Sequence, residues 1–81
     1  PEVLQQIRRI SEDTDGVLQI HNLRSRFSGA MLHLDLHVVV DGDITVRQGH
    51  DIAEDVKSRI IGGDLNVVDV VVHVEPSDHM K

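Results

Sequence analysis

Apolar and polar residues alternate along two stretches of the chain, which is the pattern of strands with one buried face. In residues 30–40 the sequence reads AMLHLDLHVVV, and in residues 67–75 it reads VVDVVVHVE. Residues two apart on a strand share a face, so one face of each strand is apolar. The polar positions fall together on the opposite face: His33, Asp35, His37, His73 and Glu75.

Helical spacing near the start of the chain predicts a first helix over residues 2–14, which Gly16 ends. Its apolar positions are Val3, Leu4, Ile7 and Ile10. Residues 17–27 are strand-like, and Ser28-Gly29 is a turn signal. We therefore expect residues 17–27 and 30–40 to form a hairpin.

A second helix should begin at Thr45, because Thr45 and Gln48 have the spacing of a capping box. Gly62-Gly63 ends it, and the last strand covers residues 67–75 before Pro76. We expect the tail, residues 77–81, to be frayed. The predicted buried stripe of the helix is Val46, Ile52, Ala53, Val56 and Ile60.

This order of elements predicts a single α+β domain, a two-layer αββαβ unit with a three-stranded mixed sheet, ordered over residues 2–76. The helices cover the sheet face that takes Leu32, Leu34, Leu36, Val70, Val72 and Val74. The opposite face is left open, and there Met31, Val39 and Val71 lie beside charged residues. We expect this open face to form a homodimer.

The composition of the chain excludes several classes of function. The net charge of −6 and the single aromatic residue argue against nucleic-acid binding. The absence of cysteine excludes thiolate sites, and no apolar run approaches the length that spans a membrane. No nucleophile motif is present, and an open sheet face excludes little water, so we expect no enzymatic activity. A metal-dependent hydrolase is the less favoured alternative.

The five in-phase polar residues predict a metal site. Taken singly, each histidine is an ordinary exposed residue, but imidazoles and carboxylates aligned on one face are what a divalent cation needs. Nitrogen and oxygen donors favour zinc, manganese, iron, cobalt or nickel over copper(I). Arg24 and Arg26 also share a face, where we expect salt bridges with acidic residues.

Several segments, in this order, resemble the C-terminal cytoplasmic domain of cation diffusion facilitator transporters. They are GVLQIHNLRSR at residues 16–26, Ser28-Gly29, the strand ending Asp35-Leu-His37, VRQGHDIA at residues 46–53 and VHVEP at residues 72–76. The resemblance covers residues 3–76. It implies a metallochaperone-like, ferredoxin-like fold.

The resemblance also implies a function. The domain would dimerise at the cytoplasmic face of a bacterial inner or organelle-like membrane. It would be a piece of a longer chain and act on that chain's transmembrane domain, a proton-coupled exporter. Metal binding would close the dimer and activate transport.

The resemblance extends the ligand set. His21, His37, His50 and His73 match histidine ligand positions of zinc-type members, and Glu75 matches a position that is often Asp. The other two candidates, His33 and Asp35, match ligand positions of the iron- and magnetosome-associated branch. We expect zinc, with iron and manganese as the other candidates.

A second hypothesis is a freestanding ferredoxin-like protein that carries metal or binds a small ligand. The full reading frame distinguishes the two, because only the transporter hypothesis requires transmembrane helices upstream of Pro1.

Overall fold

The computed structural model describes residues 2–77 and has the predicted order of elements. These elements are α1 (Glu2–Glu12), β1 (Gln19–Ser28), β2 (Met31–Val40), α2 (Val46–Ile61) and β3 (Val67–Pro76). The boundaries differ from the predicted ones by one or two residues. The predicted αββαβ order and α+β class are confirmed.

The three strands form one sheet in the order β1-β2-β3. The β1–β2 pair is antiparallel, as predicted for a hairpin, whereas β2 and β3 are parallel. Parallel neighbours need a crossover connection, and α2 provides it. The predicted mixed sheet is therefore confirmed, with β2 at its centre.

The core lies between the sheet and the helices. Ile7 of α1 and Val56 and Ile60 of α2 are fully buried, and they join the inward side chains of the sheet in one cluster. The predicted capping box is present, since Thr45 Oγ1 accepts from Gln48 N–H at 3.0 Å and Gln48 Oε1 accepts from Thr45 N–H at 2.9 Å. The sheet contributes these core residues: Ile20, Leu32, Leu34, Leu36, Val38, Val40, Val67 and Val70.

Two predictions about burial are wrong. Val46 is 91% exposed rather than part of the buried stripe, because it directly follows the cap and lies on the outer side of the first turn. Val39 lies on the open face as expected, but it is fully buried there. It lies on the central strand, between Gln19 of β1 and Glu75 of β3, which flank it on both sides.

Other parts of the prediction hold in part or fall outside the described residues. Val74 lies near Gly49 of α2 but is still 40% exposed, so the helix layer covers the end of β3 incompletely.

Across residues 2–77, neither helix combines the length and the apolar character that crossing a bilayer requires. The predicted fraying concerns residues 77–81, of which 78–81 lie outside the described residues.

Gly16 makes the turn from α1 to β1 and allows a test of the packing. It has φ +91°, and a Cβ added there would lie 2.5 Å from Cδ1 of Ile52. We expect Gly16→Ala to lower the free energy of unfolding by about 2–3 kcal/mol, from the left-handed backbone and the displaced Ile52 side chain together. Urea denaturation measures this loss.

Gly29 is the matched control. It also has a positive φ, +63°, but a Cβ there would meet no atom within 4 Å. Gly29→Ala should therefore cost only the backbone term of about 1 kcal/mol. Equal losses for the two variants would contradict the packing of Ile52 against Gly16.

Candidate metal centre

A β-bulge in β1 decides which of its side chains reach the open face of the sheet. His21 is in register with His37 and Arg24 with Asp35, so two residues of β1 lie opposite Leu36 alone. Asn22, at the bulge, has φ +55°, a left-handed conformation that asparagine adopts more readily than most residues. As a result His21 and Arg24 share one face although they are three positions apart.

We call this surface the histidine–carboxylate face. It is the side of the sheet opposite the helices, and seven residues define it: His21, His33, Asp35, His37, Asp69, His73 and Glu75. All the ligands predicted on strands lie on it. Asp69 was not predicted as a ligand, although its every-other-residue spacing to Val71 and His73 places it there.

The carboxylate of Glu75 lies between two histidines. Its Oε2 is 2.7 Å from His37 Nδ1, and its Oε1 is 3.4 Å from His21 Nδ1. Each of these three side chains is about one-third exposed. When His37 Nδ1 donates to the carboxylate, its Nε2 becomes the nitrogen that can bind a metal, an arrangement that recurs around metal-binding histidines.

A second histidine–carboxylate pair lies beside the first. His73 Nε2 is 2.9 Å from Asp35 Oδ1. That oxygen is buried and lacks a well-aligned hydrogen bond within residues 2–77, so this contact is a close electrostatic one. The rings of His37 and His73 stack with centroids 4.6 Å apart, which joins the two pairs into one cluster.

The remaining candidates are farther from this cluster. His33 Nδ1 is buried without a hydrogen-bond partner in the described part of the chain, and its nearest carboxylate oxygen, Asp69 Oδ2, is 3.9 Å away. His50 lies on α2, and its exposed side chain makes no hydrogen bond, ion pair or ring contact with any residue in 2–77. The structure therefore separates His50 from the ligands predicted on strands.

Residues 2–77 of one chain do not assemble a complete site. Among residues 2–77, no three His, Asp or Glu side chains are placed to hold a metal ion together. The cluster instead offers histidine–carboxylate pairs in which each histidine keeps one ring nitrogen for a ligand. The donors are imidazole nitrogens and carboxylate oxygens, which suit divalent first-row metals.

The surroundings of Glu75 lower its pKa below the ordinary value of 4.5. The hydrogen bond with His37 is the largest cause, and it outweighs partial desolvation, which raises the pKa. The charge of His37 and the contact with His21 lower the pKa further. These contacts all favour the ionised carboxylate.

Because the pKa of Glu75 is lowered in the folded state, the free energy of unfolding depends on pH. A carboxyl group with a lower pKa in the folded state stabilises the fold above its unfolded pKa, and that contribution is lost as pH falls through the folded pKa. As metal-free buffer is acidified from about pH 5, the free energy of unfolding of the unmodified chain should fall. We expect it to fall less steeply in Glu75→Gln, because that variant has no carboxyl group to protonate. Urea denaturation across this pH range measures the slope.

His37→Asn is the companion variant, because it removes the largest cause of the lowered pKa. It should flatten the same slope, and the double variant should add little to either single change. Additive effects of the two substitutions would show that Glu75 and His37 act on stability separately.

Residues 1–77 match the ZT_dimer family, which is described as "Cation efflux protein, cytoplasmic domain". The manganese efflux system protein MneP of Bacillus subtilis (strain 168) is 33% identical over 76 residues, 94% of this chain and 26% of MneP. Metal tolerance protein 2 of Oryza sativa subsp. japonica is 36% identical over 74 residues, 91% of this chain and 19% of that protein.

Solved structures support the same assignment. The chain named MamM-CTD superposes with a TM-score of 0.89 at 29% identity, covering 93% of this chain and 95% of MamM-CTD. Variants of MamM-CTD are known in a nickel form and a cadmium form, with the same TM-score. This chain spans about a quarter of MneP and a fifth of the rice protein. It belongs to the family of cytoplasmic domains of cation efflux proteins.

Proposed function

We propose that this chain is the metal-sensing, dimerising cytoplasmic domain of a divalent-cation exporter. The relatives carry names of manganese efflux and metal tolerance proteins, and this chain matches only a small part of each. Transport would therefore be the activity of a longer protein with its own transmembrane domain. This chain would bind metal and regulate transport, without catalysing a reaction.

The observation that carries the proposal is the incomplete site on an open face. His37–Glu75 and His73–Asp35 lie side by side, yet no three ligands converge within residues 2–77. An ion that needs four or more donors would complete its coordination with a second copy of the chain. The family name ZT_dimer and the known nickel and cadmium forms of MamM-CTD variants agree with a metal-linked dimer.

Electrostatics gives the ion a regulatory effect. Two copies facing each other through this surface bring the carboxylates of Asp35 and Glu75 from both chains to one interface, and like charges oppose closure. A divalent cation removes that repulsion, and a cation bound by both copies binds only the closed state. It therefore shifts the population toward closure, which we propose activates proton-coupled export.

Zinc is the proposed physiological ion, with manganese and iron as alternatives. Imidazole ligands suit zinc, and the mixed nitrogen and oxygen donor set also accommodates manganese and iron. The name of MneP concerns manganese and those of the solved variants concern nickel and cadmium, which fits a site open to several divalent cations.

Calorimetric titration with zinc and manganese tests metal binding directly. We expect binding at micromolar or lower dissociation constants, weakened about tenfold or more in His37→Ala and His73→Ala, since each variant removes one nitrogen donor of the cluster. His50→Ala shows whether that separate histidine contributes. No binding by the unmodified chain would eliminate the metal-sensing mechanism.

Asp55→Asn is the control for loss of a carboxylate. Asp55 lies on α2 and pairs with Arg59 at 3.2 Å, away from the histidine–carboxylate face. Its titration should match that of the unmodified chain. A loss equal to that of the histidine variants would place the bound ion elsewhere.

Acid should also weaken binding. Protons compete with the metal for imidazole nitrogens, so we expect the zinc affinity to fall as pH is lowered from about 7.5 to about 5.5. Titrations in matched buffers at these two pH values measure the effect. An affinity that stays constant would contradict histidine ligation.

The second candidate function is a freestanding metal carrier or small-ligand-binding protein. The exposed position of the histidine pairs is compatible with it. The complete reading frame decides, because a carrier needs no transmembrane helices on the same chain.

A further inference from the structure

Two arginines on β1 lie on the same side of the sheet as the histidine–carboxylate face, and their side chains have no partner among residues 2–77. Arg24 is in register with Asp35, and Arg26 with His33. Both side chains are exposed, and neither forms an ion pair or hydrogen bond with any residue in 2–77. The expected salt bridges within the chain are therefore absent from the described residues, although carboxylates lie on the adjacent strands.

A hollow of about 250 Å³ lies beside these arginines, with Ser25, His33 and Asp35 also lining it. A planar guanidinium binds a carboxylate through two parallel hydrogen bonds, so a carboxylate is the natural occupant. Asp35 in the lining and the net charge of −6 disfavour a free, multiply charged anion such as phosphate. The geometry therefore favours a single carboxylate side chain from another molecule.

The strand register identifies that carboxylate when two copies meet face to face. Arg26, His33 and Asp69 form one row across the three strands. Rotation about a two-fold axis parallel to the strands keeps each residue at the same height along the strands, so each row faces its own copy. The same rotation reverses the strand order and places β1 of one copy over β3 of the other. Arg26 then lies opposite Asp69, which is 54% exposed and only loosely paired with His33. An axis perpendicular to the strands would instead bring β1 against β1, arginine against arginine.

We propose that Arg26 pairs with Asp69 of a second copy of this chain, and that two such pairs fix the alignment of the dimer. Arg24, one row along, would extend its aliphatic stem over the exposed Val71 of the second copy. This inference rests on the proposed dimer and adds its register. The arginine pairs would hold the two edges of the interface together. At the centre, Asp35 on β2 of each copy would repel its counterpart, and the cation would remove that repulsion.

A charge swap tests the pairing. We expect Arg26→Glu and Asp69→Arg each to raise the dimer dissociation constant about tenfold or more, since each places like charges together across the interface. The double variant restores opposite charges and should return to within about threefold of the unmodified chain. Sedimentation equilibrium of the 81-residue chain, with chelator and again with zinc, measures all four proteins.

Arg59→Glu is the control, because it makes the same charge change on α2, on the helix side of the sheet, and should leave dimerisation unchanged. Circular dichroism checks that each variant folds. If a reversal variant does not fold, Arg26→Gln and Asp69→Asn provide the same cycle. The second substitution should then raise the dimer dissociation constant only slightly once the first has been made.

The outcomes separate this inference from the proposed function. A dimer that persists while the double variant shows no recovery would overturn the Arg26–Asp69 pairing alone. A chain that stays monomeric with and without zinc would overturn both. Inorganic phosphate binding that Arg26→Glu abolishes, with dimerisation unchanged, would assign the hollow to an anion and also overturn the pairing.

Discussion

Hydrogen bonding of β2 to a strand on each side is the constraint on which the candidate centre depends. A strand held on both edges must send its side chains alternately to the two faces of the sheet. Leu32, Leu34 and Leu36 are thereby committed to the core, and their burial fixes the register. His33, Asp35 and His37 have no alternative to the open face. The energy that holds the polar row in place is thus largely hydrophobic, and it comes from the other side of the sheet.

The sequence predicted the features that depend on local periodicity. The alternation in β2, the capping box at Thr45 and the glycines after α2 each act within a few residues, and the structure has all of them. The bulge at Asn22 was not predicted, because periodicity assumes a regular strand. A regular strand would place His21 and Arg24 on opposite faces. The clue was an asparagine, tolerant of a left-handed backbone, between His21 and Leu23.

Contacts between distant residues could not be read from periodicity. The His37–Glu75 contact joins residues 38 positions apart and depends on the parallel register of β2 and β3. The burial of Val39 depends on its flanking residues in both neighbouring strands, so its face alone predicted the wrong exposure. His50 was assigned from the family resemblance and not from strand periodicity, and within residues 2–77 its side chain lies apart from the cluster.

The same contacts that stabilise the metal-free chain would also prepare it for the proposed ion. Glu75 is held ionised by His37 and His21, and it orients the His37 ring in return. A metal ion that arrives at His37 can leave this pair intact, with Glu75 supporting the ring, or break it to use Glu75 as a ligand. Keeping the pair costs no hydrogen bond, so the geometry favours support by Glu75. In the proposed dimer, the donors still missing from each ion would come from the second copy, which would make closure and binding a single event.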